Sequence, residues 1–537
     1  MKTESPTVAP RSSVRPAAVH PHRHSYPLPK SEFMYGRMGP WPQPAPDHPM
    51  EMTAEVLHPP HAEKRDWKKH SGRTYLKTLL TSIPSAAHTG LTHGHVKDMS
   101  DETFADLLTT TIYSKYLRKA SQQTLDPLFT ERLGALGEGV EHYIVDFTPM
   151  QDIVPYPGMY ASPTITLFGR EHGRKPFRAI AIRIGHLEGS DWRHIVLTPD
   201  DGDAWTLAKY FAMQGAGHVT TLSGHPATHF PFDTVNAVTQ SALPMRHTLF
   251  KLLHPHLRLA LAVNHAVLEG GNSVVSETRG EIYAPYVAPG AEVRQLVAAG
   301  YIGYPHELSR CDPQPHPGPN YQKWTYPMRP PVLDVPSDFA HVLKAYHATI
   351  KDFVRGVVSV IVSRAGTPRG EEELYYIRCW ARYISQWLPG FPDETQILEL
   401  DDAGDPKLVS AVTAYIWDVS VAHSLDHRSF HRLTPRRTPF RVRMPPPASR
   451  SVPPFNRRHI LNGWDLFKAT LAFEMFFKPH NVALLKDAKY GFEEKSLQES
   501  EVAFHEALIA TEEQLVLDGV EIDKYIPLGE IATSIQY

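Results

Sequence analysis

The feature that most constrains this chain is a series of long segments of helical periodicity. It starts near Asp203 and runs to the last residues. WTLAKYFAMQGAGHVTTLSGH, MRHTLFKLLHPHLRLALAVNHAVL, FAHVLKAYHATIKDFVRGVVSVIVS, LVSAVTAYIWDVSVAHSLDH and AFHEALIATEEQLVLDGV each carry apolar residues at i, i+3, i+4 and i+7 over three or more turns. No low-charge linker separates them, so they are expected to pack as one large, mainly α-helical domain. Upstream, DETFADLLTTTIYSKYL (101–117) and DPLFTERLGALGEGVEHYIV (126–145) also read as helical. SPTITLFGR (162–170) and FRAIAIRIGHL (177–187) alternate instead and read as a hairpin across EHGRKP, with HIVLTP (194–199) after them, which predicts a small β substructure near residues 160–200. TPRRTPFRVRMPPPASRSVPPF (434–455) splits the last helical blocks and reads as an ordered loop or a surface excursion.

Residues 1–60 hold 13 prolines. That density disfavours helix and central strand, so residues 1–64 read as a Pro/His-rich irregular arm and residues 65–537 as the domain proper. His20, His22 and His24 in the arm offer either a metal chelate or a solvated tail. The 55 Lys and Arg against 58 Asp and Glu leave a net charge of −3, without the basic field of a nucleic-acid binder. Two cysteines, Cys311 and Cys379, are too few for a disulfide scaffold or a thiolate cluster. No apolar run approaches the ~18 residues of a spanning helix, and MKTESPTVAPRSSVRP lacks the apolar core of a secretory signal. A cytoplasmic location is the expectation.

Among the chain's 31 histidines, two groups carry metal-ligand spacing: His218, His225 and His229 in GHVTTLSGHPATH, and His423 and His427 in AHSLDH. Residues four apart lie on one helical face about 6 Å apart along the axis, within reach of one cation. His218 and His225 are separated by roughly 10 Å of helix, so a shared ion there requires a distorted helix. Pro226 and the glycines at 215, 217 and 224 favour such distortion. The bland alternative is a set of satisfied core or surface histidines. HExxH, GxxxxGK[ST] and GxSxG are absent, which disfavours zincin, P-loop and common esterase chemistry.

In order along the chain, WTLAK (205–209), His225, Thr228-His229, HTLFKLLHPHLR (247–258), Val263-Asn264, YPMRPPVLDV, YIWDVSVAHSLDH (415–427) and the terminal IATSIQY (531–537) resemble the conserved blocks of lipoxygenase catalytic domains. The resemblance spans roughly residues 70–537. It implies a mononuclear non-heme iron or manganese held by His225, His229, His423, His427 and the terminal carboxylate of Tyr537, with no N-terminal β-sandwich domain. The two ligands of the first helix are four apart, as in fungal manganese lipoxygenases, and the family's upstream non-ligand histidine falls on Thr220. That leaves His218 as a bystander, a group behind the ligands, or an alternative ligand. Two departures bear on the site: Pro226 lies between the first two ligands, and the last residue is Tyr537 where the family has Ile or Val.

The resemblance further implies a metal-bound hydroxide that takes a hydrogen atom from a cis,cis-1,4-pentadiene of a polyunsaturated fatty acid. O2 addition then gives a hydroperoxide. Such a reaction needs an elongated apolar pocket, and LEGGNSVV places Gly271, or next Gly270, where the family has a small residue facing the substrate. Arg246, Lys251 and Arg258 are candidates for the substrate carboxylate or plain solvated surface. Trp417 reads as core, and Asp426 as solvated or set behind the ligands. Two other readings stay open: an oxygenase or isomerase of this fold acting on another apolar metabolite, and a metal-free lipid-binding relative.

Overall fold

In a computed structural model, residues 34–37, 54–58, 61–93, 99–134, 139–171, 176–229, 232–269, 285–290, 292, 293, 296, 326–385, 388, 390–456, 460–479 and 482–537 are described. Gly270, Gly271, Cys311 and the His20–His24 tract lie outside them.

Within the expected arm, two proline-free stretches pair antiparallel: β1 (Met34–Arg37) with β2 (Ala54–His58). Neither belongs to a larger sheet, which is compatible with prolines close on either side. The helix α1 (His61–Thr92) begins three residues before the boundary expected at 64. It is followed by α2 (Asp101–Thr110), whose N-terminal Ser100 accepts from Thr103 N–H.

The sheet is larger than the alternating segments predict. It is an antiparallel meander of five strands in sequence order: β3 (Arg118–Lys119), β4 (Val140–Asp146), β5 (Thr164–Glu171), β6 (Arg178–Glu188) and β7 (Asp191–Leu197). Only the first half of 126–145 is helical, as α3 (Gln122–Leu133). The rest is β4, because a left-handed Gly139 (φ 89°) breaks the chain and Tyr143-Ile144-Val145 favours a pleated surface. Period two then sorts the side chains. Ile144, Ile165, Leu167 and Ala181 pack on Leu125, Leu128 and Phe129 of α3. Tyr143, Val145, Phe168, Ile182 and Ile184 face the main core.

That core surrounds α4 (Gly202–Val219), buried on every side from Ala204 onward. Trp205 Nε1 and Lys209 Nζ both donate to Asp101 Oδ1, at 2.7 and 2.6 Å, and tie its first turns to α2. After α4 come α5 (Phe232–Ala242), α6 (Thr248–Leu253) and α7 (Ala260–Glu269). Then follow α8 (Asp338–Ser363), α9 (Pro368–Ser385), α10 (Lys407–Trp417), α11 (His423–Arg432), α12 (Gly463–Phe477) and α13 (Lys495–Leu517). The mainly α architecture is therefore as expected. Helix α12 lies along α1; a Cβ on Gly90 would come within 2.8 Å of Gly463 O. The Pro/Arg-rich loop starts in the core and then runs out to the surface, where Ala448, Ser449, Arg450 and Ser451 are exposed. Phe440, Arg441 and Val442 are buried beside α4, where Gln214 Nε2 donates to Phe440 O and Tyr160 O.

The continuous segment Lys407–Arg432 has the length and composition of a membrane span, although no ~18-residue apolar run occurs in it. Its most apolar 18-residue window is 94% buried inside the protein, as a core helix would be.

Candidate metal centre

Both histidine pairs follow a turn of π-helix. Helix α4 widens over Thr220–Gly224, so that His225 N–H donates to Thr220 O five residues back at 2.9 Å. Pro226 has no N–H for Leu222 O, and a 3₁₀ turn, Pro226–Thr228, carries the chain to His229. The helix distortion that Pro226 and the nearby glycines favour is therefore present, as a π turn followed by a 3₁₀ turn. Between α10 and α11 a second π turn, Asp418–Ala422, ends on His423, whose N–H donates to Asp418 O. The wide turns rotate each pair off the ideal helical phase.

Together they bring His225, His229, His423 and His427 into one buried group whose ligating nitrogens all lie within 4.8 Å of one another. Burial pushes the His229 imidazole down to about 4, and burial followed by neighbouring imidazoles holds His225, His423 and His427 well below the ordinary histidine range. All four are therefore neutral, the form that ligates a metal.

The outer nitrogens show which way two of the rings are protonated. His229 Nδ1 lies 2.8 Å from Asn264 Oδ1, and Asn264 Nδ2 donates to Asp233 Oδ1 at 2.6 Å, which fixes the amide orientation. His225 Nδ1 lies 3.3 Å from Asp426 Oδ2, and Lys115 Nζ donates to the other oxygen of that carboxylate. Burial raises the Asp426 carboxyl, while Lys115 opposes the rise. With both Nδ1 atoms donating, both Nε2 atoms carry lone pairs, yet they face each other at 2.8 Å, and His427 Nε2 lies 3.1 Å from His225 Nε2. Lone pairs so close repel unless a cation lies between them. Neither nitrogen of His423 has a hydrogen-bond partner, although the ring is fully buried. An all-nitrogen set fits a borderline transition metal, and added oxygen ligands suit iron or manganese.

Tyr537 meets this group. Its ring centroid is 4.3 Å from that of His427 and 5.6 Å from that of His423. The aromatic side chain thus packs beside the imidazoles, and its phenol reaches Ser424. Residues 531–537 are almost wholly buried and held along their length. Thr533 O accepts from His256 Nδ1 at 2.7 Å, Thr533 N–H donates to Ala483 O, and Ser534 Oγ donates to Arg258 O. Phe430 and Phe477 close the other side, with centroids 5.0 and 5.9 Å from His225.

His218 is not part of the group. Its Nδ1 donates to Gln214 O at 2.9 Å and its Nε2 accepts from Val287 N–H at 3.0 Å, leaving no lone pair for a metal. The alternative of His218 as a ligand or a support behind one is corrected accordingly: seven residues of helix and the π turn carry it elsewhere. Trp417 is core, donating to Leu343 O at 2.9 Å. Arg246 and Lys251 are paired with Glu372 and Glu493. Arg258 lines a cavity of about 1150 Å³ with Lys69, Arg73 and Thr533, and none of the four histidines lines it. Lys115 carries no signal in the sequence; His256 and Asn264 stand in the matched HTLFKLLHPHLR and Val263-Asn264 blocks without a role.

The geometry defines a helical protein with a buried, nitrogen-rich group that could hold a metal, packed against residues 531–537. No family model matches the chain. It is 24% identical over 306 residues to polyunsaturated fatty acid lipoxygenase ALOX15B of Rattus norvegicus, covering 53% of this chain and 38% of that one. It is 33% identical over 113 residues to probable linoleate 9S-lipoxygenase 5 of Solanum tuberosum, covering 20% and 13%. The chain thus spans well under half the length of these curated relatives. Among solved structures, manganese lipoxygenase of Gaeumannomyces graminis superposes with a TM-score of 0.61 at 15% identity, covering 89% of this chain and 90% of that one. A lipoxygenase in complex with arachidonate gives 0.68 at 16%, covering 94% and 79%. The chain is thus similar to lipoxygenases in part of its sequence and shares their catalytic-domain fold.

Proposed function

We propose that this chain is a non-heme iron or manganese dioxygenase that converts a polyunsaturated fatty acid to a hydroperoxide. The observation that carries the reading is the group of four neutral imidazoles with two Nε2 lone pairs 2.8 Å apart and a fully buried His423 that has no other partner. The kinship with lipoxygenases of sequence and fold supports the substrate class. His225, His229, His423 and His427 would hold the metal, and the Tyr537 carboxylate is the fifth candidate ligand. When bound, such a metal supplies one-electron redox chemistry toward O2 and the weak C–H bond between two cis double bonds.

The chain's own residues orient and insulate that chemistry. Asn264 and Asp426 hold the rings of His229 and His225 by their Nδ1 atoms, and such partners fix tautomer and raise ligand basicity. Lys115 balances the Asp426 charge. Phe430, Phe477 and the Tyr537 ring exclude water from the histidine side.

The test pairs elemental analysis of the purified full chain with oxygen uptake on linoleate or arachidonate. Near one iron or manganese per chain, with conjugated-diene hydroperoxide formed and both lost in His423→Ala, is expected. Metal without oxygen uptake on any such acid points to another apolar substrate. A folded chain that takes up no metal overturns the reading in favour of a lipid-binding relative.

A further inference from the structure

Helix α1 buries mostly small hydroxyl side chains and turns large apolar ones to solvent. Its buried residues are Thr74, Thr78, Ser82, Ala86 and Thr89, whereas Leu76, Leu80, Ile83 and Leu91 are 61, 63, 45 and 83% exposed. At 100° per residue Leu76, Leu80, Ile83, Ala87 and Leu91 fall within about 80° of arc. They form a ridge about 22 Å long. Trp464 of α12, 58% exposed, stands beside the Gly90–Gly463 contact at its end and stacks on Phe467 with centroids 5.0 Å apart. Toward the helix N-terminus the same face continues through Arg65, Lys69 and Arg73, all exposed, with one exposed acid, Asp66, among them; Asp66, Lys69 and Arg73 also border the cavity that Arg258 lines. From Trp67 to Lys97 the sequence contains no Asp or Glu, while Lys68, Lys69, Arg73 and Lys77 fall on the helix.

We propose that the outward face of α1 is a peripheral docking surface for an anionic lipid bilayer. Apolar side chains on a solvent-facing ridge are costly in water, and the ridge is convex, so it presents no groove to a peptide or helix. An acid-free segment that is basic at one end and Leu/Ile/Trp-rich at the other matches a helix lying in the interface plane: the apolar part enters the acyl boundary and the cations stay among the headgroups. The inference stands on α1 alone and does not require the proposed catalytic activity.

Co-sedimentation of the full chain with vesicles tests it, using phosphatidylcholine alone and phosphatidylcholine with about a third phosphatidylserine. Binding is expected to favour the anionic vesicles and to weaken with salt. It should fall ~10-fold or more in Leu80→Asp/Ile83→Asp and in Lys69→Glu/Arg73→Glu. Circular dichroism checks folding, and Leu91→Asp, at the most exposed position, serves if a double variant misfolds. Persistence of vesicle binding in His423→Ala separates docking from the metal site. The proposal fails if the wild-type chain stays in solution with anionic vesicles at low salt, or if the substitutions leave binding unchanged. It also fails if, without vesicles, sedimentation velocity shows self-association that Leu80→Asp/Ile83→Asp abolishes, which would make the ridge a protein interface.

Discussion

Replacing His423 by leucine should strengthen the metal-free protein and weaken the metal-loaded one. His423 is fully buried, and neither its Nδ1 nor its Nε2 has a hydrogen-bond partner. Each unsatisfied buried polar group costs about 1–3 kcal/mol. Leucine removes both polar atoms from a site of similar size, at a repacking cost of up to about 1.5 kcal/mol. Two such groups less the repacking cost leave about 0.5–6 kcal/mol, so urea unfolding in chelator should show His423→Leu more stable than the wild type by at least about 0.5 kcal/mol. In a thousandfold excess of manganese or ferrous ion over the dissociation constant, the wild type gains about 4 kcal/mol, and the variant, deprived of one ligand, gains much less. His229→Leu is the internal control. It strands Asn264 Oδ1, which the His229 ring satisfies at 2.8 Å, and should cost about 1–3 kcal/mol even without metal. If His423→Leu instead destabilises the metal-free chain by as much as the loaded one, His423 is a packing residue and the metal argument fails.

Burial, followed by the charge of Arg441, holds His218 at about 4, while its two hydrogen bonds select the neutral Nδ1–H form. A depressed folded-state value contributes stability that is present above pH 6.5 and lost as pH falls toward 4, by up to about 3 kcal/mol. The difference in unfolding free energy between wild type and His218→Gln, followed by urea titration, should shrink across that window; a constant difference would refute it. Gly215→Ala sets a methyl 2.7 Å from Phe147 Cβ in the packed core around α4, and should lower unfolding free energy by about 1–3 kcal/mol. A few residues added after Tyr537 move the terminal carboxylate from the chain end. Metal content by elemental analysis and oxygen uptake should both drop, and full retention of both would remove that carboxylate from the ligand set.

The local chemistry of the site is written in the sequence. Four-residue histidine spacing and a proline between the first pair are properties of neighbouring residues, so the paired imidazoles and the helix distortion at Pro226 are legible without a fold. The sheet is less so: 140–146 follows a helical stretch in sequence, and its pairing to β5 and the core on its far face add to Gly139 and the β-favouring Tyr143–Val145 in selecting strand over helix. What the tertiary structure alone decides is convergence. His225 and His427 are 202 residues apart, yet their Nε2 atoms lie 3.1 Å apart. Asn264, Lys115 and His256 acquire their roles because α7, the segment after α2 and the buried residues 531–537 fold onto the same point. The same packing removes His218 by satisfying both its nitrogens. Spacing along a helix controls which rings share a face. Which faces meet, and which nitrogens are left without partners, depends on contacts between elements that sequence distance does not encode.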